Sequence, residues 1–199
     1  MPPRSRTRAP APDQMTLDVT TATVFSEKQA QQSLADTSVR LAARFASDDA
    51  GWAGSAFGWV RVLPPSSRAK AAVAFVAQAA ADAGVDVGPG VPGGRTLNGV
   101  PVGVRMSTMW SHGQFVFQMP ATSPSVEAVA LIGFAPAQVW LWLVPLTQVR
   151  AHAKTLSSGK LWVSVDVQEQ PSWLGCDGTV SGAFARLPAL ADGNSNVTR

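Results

Sequence analysis

The spacing of apolar residues predicts two helices in the first half of the chain. Residues 26–46 have helical composition and part of an apolar face. An alanine-rich stretch, residues 68–83, predicts a second helix that packs closely against a sheet. Ser66 or Ser67 is its predicted N-cap, because a serine hydroxyl accepts a hydrogen bond from the first turn, and Gly84 is its predicted end.

Two segments beside these helices are predicted to be irregular. Residues 47–65 form a predicted loop with aromatic anchors, and the glycine- and proline-rich residues 88–94 form a predicted mobile turn. Among the tryptophans, those in loops are the better candidates for an interface, since tryptophans in strands usually belong to the core. The loop tryptophans are Trp52, Trp59 and Trp173.

Alternating patterns predict strands after the second helix. A short strand is expected at residues 85–87. The dipeptide Asn98-Gly99 lies between apolar residues and is a strong signal for a tight hairpin turn. Residues 100–107 and 114–118 are predicted to be neighbouring strands.

The second half of the chain predicts the centre of a sheet. Residues 129–134 and 139–144 are apolar enough to be central strands buried on both faces. A helix is expected at residues 146–154, a strand at 160–167 and a short helix at 180–187. This order predicts an α/β fold with a mixed central sheet flanked by helices, plus a helical N-terminal segment.

Composition supports one folded domain with two tails. The chain has 199 residues, of which 46% are hydrophobic and 15% charged. We expect a flexible basic, proline-rich tail at residues 1–25, the domain at 26–190 and a polar tail at 191–199. Because Pro136 and Gln138 interrupt the longest apolar stretch, we expect no membrane association.

Charge and cysteine content set weaker expectations. The net charge of +3 is compatible with a polyanionic partner. The single cysteine, Cys176, excludes an intrachain disulfide and favours a cytoplasmic location. His112 and His152 lie far apart in sequence, without the spacing of a zinc site. No Asp or Glu occurs between Val87 and Pro124, so this region cannot supply the clustered carboxylates of a metal-dependent phosphoryl-transfer site.

Several motifs follow one another between residues 57 and 187. They are the Asn-Gly turn, Ser-Thr after the second predicted strand, Phe-x-Phe-Gln at 115–118 and Trp-Leu-x-Pro at 142–145. Their order resembles that of restriction-endonuclease-like proteins of the PD-(D/E)xK nuclease superfamily. In that family an aspartate, a Glu-x-Lys pair and often a helix glutamate hold one or two magnesium ions. Such endonucleases commonly dimerise.

The resemblance implies that the acidic positions have been lost. The aspartate falls at Gly94, the helix glutamate at Val73, and Glu-x-Lys at Gly103-Val104-Arg105. Arginine retains the positive charge but is a poor proton shuttle. The resemblance therefore implies a pseudoenzyme with no catalytic residues, bound metal or other cofactor.

What remains is a set of side chains suited to DNA. Lysine and arginine neutralise phosphates, while hydroxyl and amide groups hydrogen-bond to phosphates or base edges. The predicted DNA-binding residues are Arg61, Arg68, Lys70, Arg95, Arg105, Ser107, Thr108, Gln114 and Gln118, and Lys154 and Lys160 extend the basic surface. The same residues would also serve simply to solvate a sheet edge.

Three functions follow from these observations. The first is a catalytically inactive DNA-binding protein or the non-catalytic subunit of a restriction or defence assembly, in a homo- or hetero-oligomer that can include an active nuclease. The second is an active, Mg²⁺-dependent DNA endonuclease with relocated carboxylates. The candidates for these relocated carboxylates are Asp82, Asp86, Glu127 and Asp166. The third is a scaffold that binds a protein partner.

Overall fold

The computed structural model describes Gln32, Asp36 and residues 51–110, 113–122 and 125–194. The chain divides into two units, Met1–Arg44 and Phe45–Arg199. Gln32 and Asp36 are helical, and the Gln32 amide donates a hydrogen bond of 2.9 Å to the Asp36 carboxylate. The rest of the predicted helix at 26–46, the predicted tail at 1–25 and His112 lie outside the described residues.

Two helices begin the described part of the second unit. They are α1 (Gly58–Val62) and α2 (Pro65–Asp82). The loop prediction for residues 47–65 is therefore wrong where α1 forms. The predicted serine cap of α2 is also wrong, since Pro64 is the N-cap and no side chain caps the helix. Pro65 suits the first helical position, because its missing N–H would have no partner within the helix.

The strands form two sheets. In chain order they are β1 (Val87–Val91), β2 (Gly94–Leu97), β3 (Val100–Thr108), β4 (Gln114–Pro120), β5 (Ala128–Phe134), β6 (Val139–Pro145), β7 (Lys154–Thr155) and β8 (Lys160–Asp166). One sheet has the order β1-β2-β3-β5-β6 and the other β4-β8-β7. Strands β3 and β5 are parallel and the other pairs are antiparallel. The prediction of an α/β fold with a mixed sheet is confirmed.

Short helices follow and interrupt these strands. They are α3 (Leu146–His152), a 3₁₀ turn (Ser172–Leu174), α4 (Val180–Phe184) and α5 (Leu187–Asn194). The single helix predicted at 180–187 is divided in two, and α5 continues into the segment predicted to be a polar tail. No helix in the described part of the chain is both long and apolar enough to cross a membrane.

Two hydrophobic cores lie on opposite faces of the five-stranded sheet. The first joins α2 and α4 to residues such as Val102 and Val104 of β3. The second joins the other face to Phe115 and Phe117 of β4 and to alternate residues of β8. The molecule thus has a helical layer, a large sheet and a small sheet. Since β5 is buried at every position, the prediction of a central strand is confirmed there, whereas β6 lies at the edge of its sheet.

Two strand predictions fail for a physical reason. Strands β3 and β4 are not hydrogen-bonded neighbours, because β4 pairs with β8 in the small sheet. The predicted strand at 85–87 begins only at Val87, and the glycine-rich segment after it forms the β1–β2 hairpin instead of a mobile turn. In the first case pairing with a strand distant in sequence overrides the local preference, and in the second the pairing of β1 with the adjacent β2 does so.

The Asn-Gly turn is confirmed. Asn98 and Gly99 both have positive φ, 47° and 81°, as a tight hairpin turn between β2 and β3 requires. Asn98 Oδ1 also accepts a hydrogen bond of 2.8 Å from the Asp86 amide. The turn is therefore fixed to the segment that leads into β1.

Candidate nucleic-acid interface

Three of the four positions matched to the family's catalytic pattern meet on strands β2 and β3. Gly94 and Gly103 are directly opposed across the two strands. Arg105 follows two residues later and therefore shares the face of Gly103. Val73 is separate: it lies on α2 and packs into the first core, on the face of Val102 and Val104.

Gly94 is closed to any side chain in this backbone. A Cβ atom built there would overlap the carbonyl oxygen of Val102 and lie 2.9 Å from the Cα of Gly103. An aspartate at this position requires the two strands to move apart. This backbone therefore leaves no room for the side chain that the resemblance places at position 94.

Arg105 occupies the neighbouring space. A Cβ atom on Gly93, in the β1–β2 turn, would lie 3.3 Å from Arg105 Nη1. This nitrogen donates a hydrogen bond of 2.6 Å to the Val104 carbonyl. Partial burial lowers the pKa of the Arg105 guanidinium from its ordinary value, but arginine remains charged near neutral pH.

A cavity of about 420 Å³ lies between α2 and the β1–β2 hairpin. It contains two cations, Lys70 on α2 and Arg95 on β2, and no acidic residue lines it. Val73 and the backbone of Gly94 complete its wall. Because small residues border it, an extended polyanion can approach the protein backbone closely here.

Arg95 carries an unsatisfied donor beside this cavity. Its Nε is enclosed and has no hydrogen-bond partner among the described residues. Buried polar groups are nearly always paired. Arg95 therefore contributes its positive charge to the cavity, while its enclosed Nε has no acceptor among the described residues.

The two other predicted cations of the helical layer, Arg61 and Arg68, make contacts within the protein. Arg68 donates hydrogen bonds to the carbonyl oxygens of Leu63, at 2.8 Å, and of Arg61. It thus ties the start of α2 to the end of α1. The Arg61 guanidinium lies 5.2 Å from the centroid of the Trp52 ring, a cation–π contact.

The predicted hydrogen-bonding residues lie elsewhere. Ser107 is only 7% exposed, and its hydroxyl accepts a hydrogen bond of 3.0 Å from the Val116 amide of β4. Thr108 ends β3 and is half-buried. Gln114 and Gln118 are exposed on β4, on the outer face of the small sheet. The structure therefore does not bring the predicted DNA-binding residues together: some lie on the helical layer, Gln114 and Gln118 on the small sheet, and Arg105, Ser107 and Thr108 on β3.

The small-sheet surface includes a residue that sequence analysis did not single out. Trp162 of β8 lies opposite Gln118 on one side and Lys154 on the other. Lys154 Nζ is 5.9 Å from its ring centroid. The alternation of apolar and polar residues along β8 could have identified Trp162, because it places this residue on the same face as Lys160.

The four carboxylates proposed for a relocated metal site do not lie together at one place in the structure. The Glu127 amide donates to the Pro101 carbonyl at the start of β3. Asp166 pairs with Gln114, whose carbonyl accepts from the Trp110 amide beyond the end of β3. The strand between these points extends on the order of 30 Å. Asp82 and Asp86 lie at the connection from α2 to β1.

No group of three or more His, Cys, Asp or Glu side chains placed to hold a metal ion occurs within residues 51–110, 113–122 and 125–194. Comparison of the chain with protein-family models, curated proteins and solved structures gave no match. The functional interpretation therefore depends on the geometry of the cavity and its cations.

Proposed function

We propose that the protein is a non-catalytic DNA-binding protein that contacts backbone phosphates at the cavity between α2 and the β1–β2 hairpin. The observation that carries the proposal is the pair of cations, Lys70 and Arg95, in a cavity whose lining contains no acid. Duplex DNA presents closely spaced phosphates, and cations that neutralise them release counterions and so favour binding.

The glycines of the hairpin support the same conclusion. Gly94 lines the cavity and admits no side chain without a shift of the backbone, so a phosphate at this position meets backbone alone. The Lys70 and Arg95 side chains that line the cavity would donate hydrogen bonds to a phosphate oxygen on binding. A hydrogen bond to a charged phosphate is stronger than one between neutral groups.

The test is duplex DNA binding measured by fluorescence anisotropy in EDTA across a salt series. Lys70→Gln and Arg95→Gln should each weaken binding and reduce the slope of log K against log salt by about 1. Lys160→Gln is the matched control, because it removes the same charge from the outer face of the small sheet. An equal loss in all three variants would show that only net charge matters.

A plasmid-nicking assay with Mg²⁺ separates this proposal from the active-nuclease alternative. The proposed function gives no nicking by the purified chain. Nicking that Asp166→Asn and Glu127→Gln together abolish would instead support relocated carboxylates. A restriction or defence assembly with an active partner would show nicking only when that partner is added.

A protein-binding scaffold is the second candidate, and exposed apolar side chains favour it. Trp59 and Val62 on α1 are 46% and 83% exposed, and Trp110 is 63% exposed. Trp59 also stacks on Phe75 with ring centroids 6.1 Å apart, which fixes its orientation. A sizing column run with and without DNA distinguishes the candidates, since a scaffold predicts a heteromer or stable oligomer without DNA affinity.

A further inference from the structure

A second cavity lies at the opposite end of strand β3 from Trp110. It encloses about 400 Å³ where β3 and β5 begin and β6 ends, between α3 and α5. This volume is at the lower end of the range for small-molecule sites. Apolar residues of both cores form much of its wall, among them Val100, Val126 and Leu190.

Two residues of opposite charge, Glu127 and Arg150, line this cavity. The Leu146 amide donates a hydrogen bond of 2.8 Å to the Glu127 carbonyl. Arg150 lies four residues after Leu146 in α3, one helical turn away, where side chains are neighbours. Glu127 and Arg150 both line the cavity, and both are exposed to solvent.

Both charged groups retain capacity for a ligand. The Glu127 carboxylate makes no hydrogen bond or ion pair with the described part of the protein. Arg150 Nη2 donates to the Ala121 carbonyl at 3.3 Å, which leaves the other N–H groups of a five-donor guanidinium available. The backbone of Glu127 is held by its bonds to Pro101 and Leu146.

We propose that this cavity binds a small zwitterion with an aliphatic body, of the chemistry of a free amino acid such as leucine. The ammonium group contacts Glu127, the carboxylate contacts the Arg150 guanidinium, and the side chain lies against Val100, Val126 and Leu190. An amino acid presents a positive group, a negative group and an apolar side chain, which matches a cavity lined by Glu127, Arg150 and apolar residues. The carboxylate of Glu127 disfavours a polyanion, so this site is independent of the proposed DNA surface.

Titration calorimetry of the full chain with L-leucine tests the proposal. Two analogues each remove one charge: leucinamide lacks the carboxylate, and 4-methylpentanoate lacks the ammonium group. Leucine should bind, and each analogue should bind at least about tenfold more weakly to the unaltered protein. This comparison needs no variant, so it does not depend on whether a variant folds.

The variants assign each charge to its partner. Arg150→Gln should weaken leucine about tenfold but leave leucinamide unchanged, and Glu127→Gln should weaken leucine but leave 4-methylpentanoate unchanged. Gln148→Ala, an exposed change on the same helix, is the control and should leave all three affinities unchanged. Absence of leucine binding, or equal affinity for leucine and both analogues, overturns the proposal.

Discussion

Gly94 shows how a single residue limits what the β2–β3 hairpin can carry. Its conformation requires no positive φ; the limit is the Val102 carbonyl, which occupies the place of a Cβ atom. Gly94→Ala should therefore destabilise the protein by about 2 kcal/mol or more, as overpacking with a backbone shift does. Urea unfolding measures this change.

The matched control for this prediction is Gly51→Ala. Its added Cβ would meet only Pro136 Cγ, at an ordinary 3.9 Å, so the change should stay within about 0.5 kcal/mol. Gly94→Asp should be at least as destabilising as Gly94→Ala, and Mg²⁺ should not rescue it. Equal stability of Gly94→Ala and Gly51→Ala would show that the hairpin opens freely.

Ser107 links the two sheets through one hydroxyl group. The residue is buried, and Ser107→Ala leaves the Val116 amide without its acceptor. We expect a loss of about 1–2 kcal/mol in the free energy of unfolding. DNA affinity should not change, because the hydroxyl faces the protein interior.

Urea unfolding and anisotropy check the two parts of this prediction. Ser164→Ala is the control for stability, since Ser164 is exposed on the outer face of β8 and its loss should be nearly neutral. A drop in DNA affinity for Ser107→Ala at unchanged stability would restore the binding role that the sequence suggested.

At the scale of elements, the start of α4 is built from two linked turns. The Asp177 carboxylate accepts from the Thr179 hydroxyl at 2.7 Å and from the Thr179 amide at 3.0 Å. The Thr179 hydroxyl in turn caps α4 by accepting from the Gly182 amide. The hydroxyl bond, followed by the amide bond, lowers the pKa of the Asp177 carboxyl below its ordinary value.

This lowered pKa predicts a pH dependence. The ionised carboxylate stabilises the folded state above the pKa of the unfolded chain, about 3.9, and this contribution is lost as pH falls through the folded pKa. Asp177→Asn keeps an acceptor oxygen but cannot titrate. Urea midpoints measured below about pH 4 should fall less steeply for Asp177→Asn than for the unaltered protein; parallel curves would contradict this.

Local signals predicted most elements, and the strand predictions failed where strand pairing overrides residue preference. Apolar runs located β5, and Asn98-Gly99 located its turn because both residues tolerate positive φ. Nothing local indicated that residues 88–94 form a hairpin, since glycine and proline disfavour strands. The motif match named Gly94 and Gly103, and the structure places them opposite each other. The cavity lined by Lys70 and Arg95 depends instead on how α2 crosses the hairpin.

At the scale of the whole molecule, the described residues of both cores belong to the second unit. Within the described part of the chain, the first core begins at Trp52 and the second at Phe115. A chain that starts at Phe45 should therefore unfold in urea in one cooperative transition. Its free energy of unfolding should lie within about 1 kcal/mol of that of the full chain. A broad transition would show that residues before Phe45 complete a core.

The pairing of β4 with β8 has a consequence for synthesis on the ribosome. Gln114 finds its partner Asp166 only after about fifty more residues have been added, which takes roughly 3–10 seconds at ordinary elongation rates. During that time Phe115 and Phe117 have no strand beside them. A nascent chain that stalls before Lys160 would leave the backbone edge of β4 without its partner strand, so translation pauses in this interval should favour chaperone capture or aggregation.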